Sequence, residues 1–195
     1  KNFTKVFAEH SNNIFVTADN VSEDTYNMIC KYIKEDNITR VSIGHGAGTF
    51  NLTLDQALQE NDEEVIYFVE NDYLHRMGSP DILFEGLSLG FPYLTLYDHP
   101  DKYIDPAMGG NSFCQGNAEN TRVYRTYSCH WKITNSTTMT FAARVKDHPA
   151  LIPEIKKLSI LFTSFNNKLK ILAIDTISLK VTFFRVLYFF KISIK

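Results

Sequence analysis

Two carboxylates one residue apart, Glu70 and Asp72, follow directly on the apolar run Val65-Ile66-Tyr67-Phe68-Val69. An ionised carboxylate without a partner is too costly to desolvate to lie inside such a run. The acids therefore mark the point where the chain leaves the interior. Oxygen ligands so spaced suit a hard divalent cation, whose remaining positions substrate phosphates and water can fill. The chemistry on offer is electrostatic: the ion offsets charge that builds on a departing diphosphate. The bland alternative is a solvated turn after a strand. Two other places repeat the pattern. Asp19-Asn20 follow Ile14-Phe15-Val16-Thr17-Ala18, and Gly44-His45-Gly46-Ala47-Gly48 follow a run from Thr39 to Ile43. The glycines allow a tight turn or close approach of backbone to a ligand. As a phosphate cradle the loop is weak, because it lacks the Lys of a P-loop and fits no dinucleotide fingerprint.

The elements that must position these residues alternate. The spacing of Phe3, Val6 and Phe7 predicts the back half of an amphipathic helix. Residues 13–18 read as a buried strand. Ser22 reads as an N-cap with Glu23 and Asp24 in the first turn, opening a helix that Tyr26, Ile29, Cys30 and Ile33 line and Asp36-Asn37 end. A strand from Thr39 to Ile43 precedes a helical stripe of Phe50, Leu54, Ala57 and Leu58. The central strand and its acids come next. Ser79-Pro80-Asp81 reads as a capped helix start, and Gly90 as the stop of a helix running to about Leu89. Tyr93 to Tyr97 is a further strand, ending in Asp98-His99. From Ile104 to Asn120 the composition is that of a long loop. Residues 121–133 alternate in the manner of strands, and Phe141 to Val145 is apolar again. The order β-α-β-α-β-α-β predicts an α/β fold: a mainly parallel central sheet between two layers of helices, a three-layer α/β/α arrangement. In such a sheet the acid- and Gly-bearing strand ends lie along one edge, where ligands bind.

Bulk properties narrow the classes. With 20 Lys and Arg against 22 Asp and Glu, the net charge is −2. No basic stripe interleaved with aromatics precedes the tail, which argues against nucleic acid as a partner. Cys30, Cys114 and Cys129 form no CxxC, so a disulfide framework or zinc site is not expected, and a reducing, cytoplasmic setting is. No uncharged run is long enough for an integral membrane segment. The chain does not begin with Met, and it reads as a fragment.

Thr17-Ala18-Asp19-Asn20-Val21-Ser22-Glu23-Asp24-Thr25 resembles the V-D-D-x-S-x-D-x-T stretch of nucleotide-sugar glycosyltransferases of the GT-A fold, the family 2-like group. Gly46 to Leu58 resembles their Gly- and Asn-bearing helix start, and Val65 to Asp72 resembles their strand ending in D-x-D. The resemblance spans roughly residues 10 to 145. It implies transfer of a sugar from a nucleoside diphosphate, UDP foremost, to a glycan or other acceptor. Asp19 and Asn20 would meet the base or ribose, with Gly46, Glu70 and Asn71 also on the nucleotide-sugar. Asp72, with Glu70, would hold Mn²⁺ or Mg²⁺. The pattern departs at Glu70, where Glu stands for the usual Asp. The stretches Leu94 to Tyr103 and His130 to Thr140 resemble a bacterial and large-virus subgroup, and they imply acceptor-side or pocket-lining roles for Asp98, His99, His130 and Trp131. Each of these has a plain structural alternative: core packing for Trp131, a satisfied structural His for His130, a turn for Asp98-His99. His75 either touches the metal or lies beside it or at the surface. Lys132 and Arg125 either neutralise a phosphate or are exposed charges.

The resemblance stops after Val145. Residues 147–195 are dominated by Lys, Ile, Leu, Phe and Ser, with Glu154 and Asp175 the only acids after Asp147 and no Gly. This predicts an incomplete transferase domain over 1–146 and a divergent tail over 147–195, read either as a genuine pair of strands with a helix or as a frameshifted or read-through product not native to the family. No catalytic base is assigned. Two alternatives stand beside the enzyme: a nucleotidyltransferase on a similar sheet, and an inactive remnant or nucleotide-sugar binding module.

Overall fold

Two runs of β-branched and aromatic residues, Ile14–Asp19 (β1) and Val65–Glu70 (β3), form strands whose both faces are covered. In the computed structural model, which describes residues 1–98, 103–110, 122–133, 140–147 and 185–192, they sit within a six-stranded sheet. Ile38–Val41 forms β2, Tyr93–Leu94 β4, Phe141–Arg144 β7 and Arg185–Ile192 β8, in the order β2-β1-β8-β3-β7-β4. Val123–Arg125 (β5) and His130–Lys132 (β6) pair as a separate antiparallel hairpin, as the alternation over 121–133 predicts.

Side chains alternate across the sheet, and two apolar clusters follow from this. Ile14, Val16 and Ala18 of β1 and Val65, Tyr67 and Val69 of β3 belong to the first. Helices α1 (Asn2–Val6), α2 (Glu23–Cys30) and α4 (Ser79–Leu87) supply its other wall through Phe3, Ile29, Leu83 and Leu87, with Phe7 just beyond α1. Ile66 and Phe68 point the opposite way. They meet Phe50, Leu54 and Ala57 of α3 (Gly46–Ala57), together with Phe141 and Ala143 of β7. The protein is thus a mixed α/β structure, with apolar packing on both faces of one sheet.

The expected parallel order is met in direction and not in adjacency. β1 pairs parallel with β2, while β8 runs antiparallel to both β1 and β3, and β7 antiparallel to both β3 and β4. Strands β1 to β4 therefore all point one way, yet β1–β2 is the one parallel pair of neighbours among the described strands. Two oppositely directed strands separate the rest. β8 comes from the compositionally divergent tail and pairs with β1 through residues 185–190 and with β3 through residues 187–192.

Several boundaries move. α2 ends at Cys30 and gives way to a turn and a 3-10 turn at Glu35–Asn37. α3 starts at Gly46, with His45 as its cap, one turn before Phe50. Ser79 is inside α4, and Gly78, at φ 83, holds the cap position. α4 ends at Leu87. β4 is two residues long. The Thr95 hydroxyl donates to the Thr140 carbonyl and accepts the Tyr97 N–H at 3.0 Å, so a side chain takes a group the ladder would need. Among the described residues no helix is long and apolar enough to cross a membrane.

Candidate functional site

Because β1 to β4 share a direction, their C-terminal ends share one sheet edge. Asp19, the Gly44–Gly48 loop, Glu70 to Asp72 and Asp98 all lie there. Register fixes the spacing further. Thr17 and Glu70 both pair with Leu187, and Asp19 pairs with Arg185. Asp19 is thus two residues beyond the level of Glu70 and two strand spacings away, roughly 10 Å across the sheet and 7 Å along it. Both side chains belong to the face that α3 covers, since residues directly opposite one another share a face.

The two acids are used differently. Asp19 is buried. Its Oδ1 accepts the N–H groups of Ile43 at 2.7 Å and Gly44 at 3.1 Å. Its Oδ2 accepts the Gly44 N–H at 2.9 Å and the Thr49 hydroxyl at 2.8 Å. A carboxylate can be held out of water only when it is satisfied in this way. Asp19 thereby fastens the end of β1 to the β2–α3 loop and to the first turns of α3. It also fills the small anion-binding concavity that the loop's backbone would otherwise offer.

Asn20 is the one described non-glycine residue with positive φ, at 52°. Asn tolerates that region better than most residues, and the Asn20 N–H still donates to the Val41 carbonyl at 2.9 Å. The chain thus turns sharply out of the sheet towards Ser22, whose hydroxyl caps α2 by accepting the Thr25 N–H at 3.2 Å. Gly44, at φ 80, is the matching turn on the other side. A Cβ there would come within 3.3 Å of Asn20 Nδ2. Gly46 is buried at the first position of α3. His45 Nδ1 accepts the Gly48 N–H at 3.0 Å, capping that helix.

At the end of β3 the arrangement is open. Glu70 is half-buried, Asn71 and Asp72 are exposed. Among the described residues no hydrogen bond or ion pair engages the Asp72 carboxylate. The turn is braced from beyond. Tyr73 packs edge-on against Tyr97, ring centroids 5.6 Å apart. His75 is anchored through its backbone by Asn2, whose Nδ2 donates to the His75 carbonyl at 3.0 Å and whose Oδ1 accepts the His75 N–H at 2.7 Å. The His75 ring packs against Phe3, Phe7 and Tyr67, with Nε2 2.9 Å from the Tyr67 hydroxyl. Burial in this aromatic setting pushes its pKa down to about 4. Burial also raises that of Tyr67. His75 is thus a half-buried, neutral brace behind the acid-bearing turn. No signal at His75 itself shows this; Phe3, Phe7 and Tyr67 carry it jointly.

Trp131 and its neighbours form a second group at the same sheet edge. The Trp131 indole N–H donates to the Thr126 hydroxyl at 3.0 Å, and its six-membered ring lies so close to Gly86 that an added Cβ would meet it at 2.6 Å. It packs against the main core, the plain alternative weighed above, and at the same time forms a cavity wall. That cavity, about 160 Å³, is lined by residues including Thr95, Tyr97, Asp98, Tyr103, His130, Trp131 and Lys132. His99 lies outside the described residues.

Among the described residues no group of three or more His, Cys, Asp or Glu side chains converges as a metal-ligand set. Glu70 and Asp72 could supply two oxygens, which fits an ion shared with phosphates and water better than a cation cage built from protein alone. No protein-family model, curated protein or solved structure matches this chain.

Proposed function

We propose that the chain is the core of a GT-A-type, metal-dependent glycosyltransferase, a three-layer α/β/α domain that takes a sugar from a nucleoside diphosphate, UDP first, and passes it to a glycan acceptor. The observation that carries this reading is the exposed Asp72 carboxylate, unengaged among the described residues, beside Glu70 on the edge where four co-directional strands end. Packing on both faces of the sheet supports the layered fold. Asp72 and Glu70 would hold Mn²⁺ or Mg²⁺, which when bound offsets the charge on the leaving diphosphate. Asn71 and Asn20 are exposed where a nucleotide could reach them. In the transfer, an acceptor hydroxyl oxygen bonds to the anomeric carbon as that carbon's bond to the diphosphate breaks. The nucleoside diphosphate and the hydroxyl proton leave. A cytoplasmic setting suits Cys30 and Cys129, both free thiols.

One observation favours a second reading, a catalytically inactive remnant. Asp19, assigned by resemblance to the base or ribose, is already satisfied by four internal contacts. Calorimetry with UDP and Mn²⁺ tests the first reading. Metal-dependent binding that Asp72→Ala abolishes supports it, and metal-independent or absent binding overturns it. Turnover of UDP-sugars by the same protein separates enzyme from remnant.

A further inference from the structure

Two cavities flank Trp131, the only tryptophan of the chain. The smaller holds Asp98 and His130 and belongs to the group already described. The larger, about 250 Å³, opens between β4 with the end of α4 on one side and the β5–β6 hairpin on the other. Its wall is mainly apolar, built from Leu89, Phe91, Pro92, Tyr93, Tyr124 and Ile133. Among the described residues no acid lines it, and none of its walls comes from the lip at the end of β3.

Most polar groups at its border are engaged elsewhere. The Thr95 hydroxyl donates to the Thr140 carbonyl. The Trp131 indole N–H donates to the Thr126 hydroxyl at 3.0 Å. The Lys132 ammonium lies 4.6 Å from the centroid of the Tyr103 ring, which lines the smaller cavity and not this one. A charged or hydroxyl-rich ligand would meet few partners here, and its desolvation would go uncompensated. Water is poorly held by such walls for the same reason, and an apolar ligand gains by displacing it. The shape is set by rings. Phe91 and Tyr124 stand edge to face, centroids 4.9 Å apart and planes at 77°, so a flat ligand can stack on one and meet the edge of the other. Trp131 is fixed against α4 at Gly86, where an added Cβ would lie 2.6 Å from the indole and 3.0 Å from Leu94 Cδ2. An apolar cavity of about 150 Å³ takes up benzene. The larger volume here suits one substituted ring or two fused rings.

We infer that this cavity is a binding site for a small, neutral aromatic molecule of one or two fused rings, held by ring contacts with Phe91, Tyr124 and Trp131. It is separate from the metal-and-nucleotide reading and stands or falls without it.

The single tryptophan supplies the probe. The full chain labelled with 5-fluorotryptophan gives one ¹⁹F NMR signal, from Trp131. The fluorine sits on Cζ3, not on the Cζ2 and Cη2 atoms nearest Gly86. Titration with indole and with p-cresol, without nucleotide or metal, is expected to shift that signal saturably. Benzoate and methyl glucoside should bind at least tenfold more weakly, and 4-methylcyclohexanol, the saturated counterpart of p-cresol, several-fold more weakly. Phe91→Ala should weaken indole binding about tenfold through lost ring contact and apolar area, and Tyr124→Leu should weaken it in the same direction. Circular dichroism checks that the variants fold. Tyr127→Ala, in the same hairpin at a side chain 96% exposed and outside the cavity, should leave binding unchanged. No saturable shift, equal binding of benzoate, glucoside or the saturated ring, or binding indifferent to both Phe91→Ala and Tyr124→Leu would overturn the inference. So would a signal that moves on protein dilution alone, because a second copy would then fill the cavity. Failure to bind UDP and Mn²⁺ would sink the transferase reading and leave this one in place.

Discussion

The ends of β1 and β3 make an instructive pair. Each is a buried apolar strand that runs out into acid and Asn, each points the same way, and their acids share a face of the sheet. At β1 the neighbouring loop and α3 close over the acid, and four hydrogen bonds turn Asp19 into a structural fastener. At β3 no loop among the described residues closes over Asp72. The turn is held from behind instead, by the Asn2 clamp on His75 and by Tyr73 on Tyr97, and the carboxylate is left in solvent. The same sequence signal, acid after strand, therefore serves two ends. The deciding factor is whether backbone N–H groups are brought to the acid.

The comparison can be broken by mutation. Asp19→Ala should cost the most, about 3 kcal/mol or more, because it leaves the Ile43 and Gly44 N–H groups and the Thr49 hydroxyl without their acceptor. Urea unfolding measures it, and a cost below about 1 kcal/mol would show that Asp19 is not the fastener. The His75 brace gives the next effect. Its folded-state pKa, about 4, lies below the ordinary 6.5. The unfolded chain therefore binds the extra proton first as pH falls. The contribution of neutral His75 is full above about 6.5, declines between 6.5 and 4, and levels off below 4, on the order of 2 kcal/mol in all. His75→Phe should flatten that part of the stability-against-pH curve, and an unchanged slope would contradict the role of His75 as a brace.

Thr49→Val keeps the shape and removes one donor to a buried carboxylate, for about 1.5 kcal/mol by urea unfolding. Gly44→Ala puts a side chain at φ 80 against Asn20, for about 1 kcal/mol. Asp72→Ala should change stability by less than about 0.5 kcal/mol. A large loss there would show that the β3 end is as closed as the β1 end.

Much of this was legible in the chain. The two central strands read as doubly buried runs, and the structure covers both faces of each. Ser22 reads as a cap and is one. What was hidden depends on contacts far apart in sequence. Nothing near Asp19 shows that Ile43, Gly44 and Thr49 will surround it. β4 is shortened by a bond from Thr95 to Thr140, 45 residues away. The tail strand β8 takes a central place between β1 and β3, a non-local pairing that composition alone does not indicate. His75 reads as a polar residue beside an acid pair, and only α1 folded back onto β3 half-buries it among aromatic rings.

The account turns on whether the open carboxylate at the end of β3 does chemistry that the closed one at β1 cannot. Titration calorimetry of UDP into the chain, with and without Mn²⁺, on the parent protein and on Asp72→Ala addresses it directly. The account predicts binding that requires the ion and disappears with Asp72. Binding that is indifferent to both, or none in the parent protein, would contradict it.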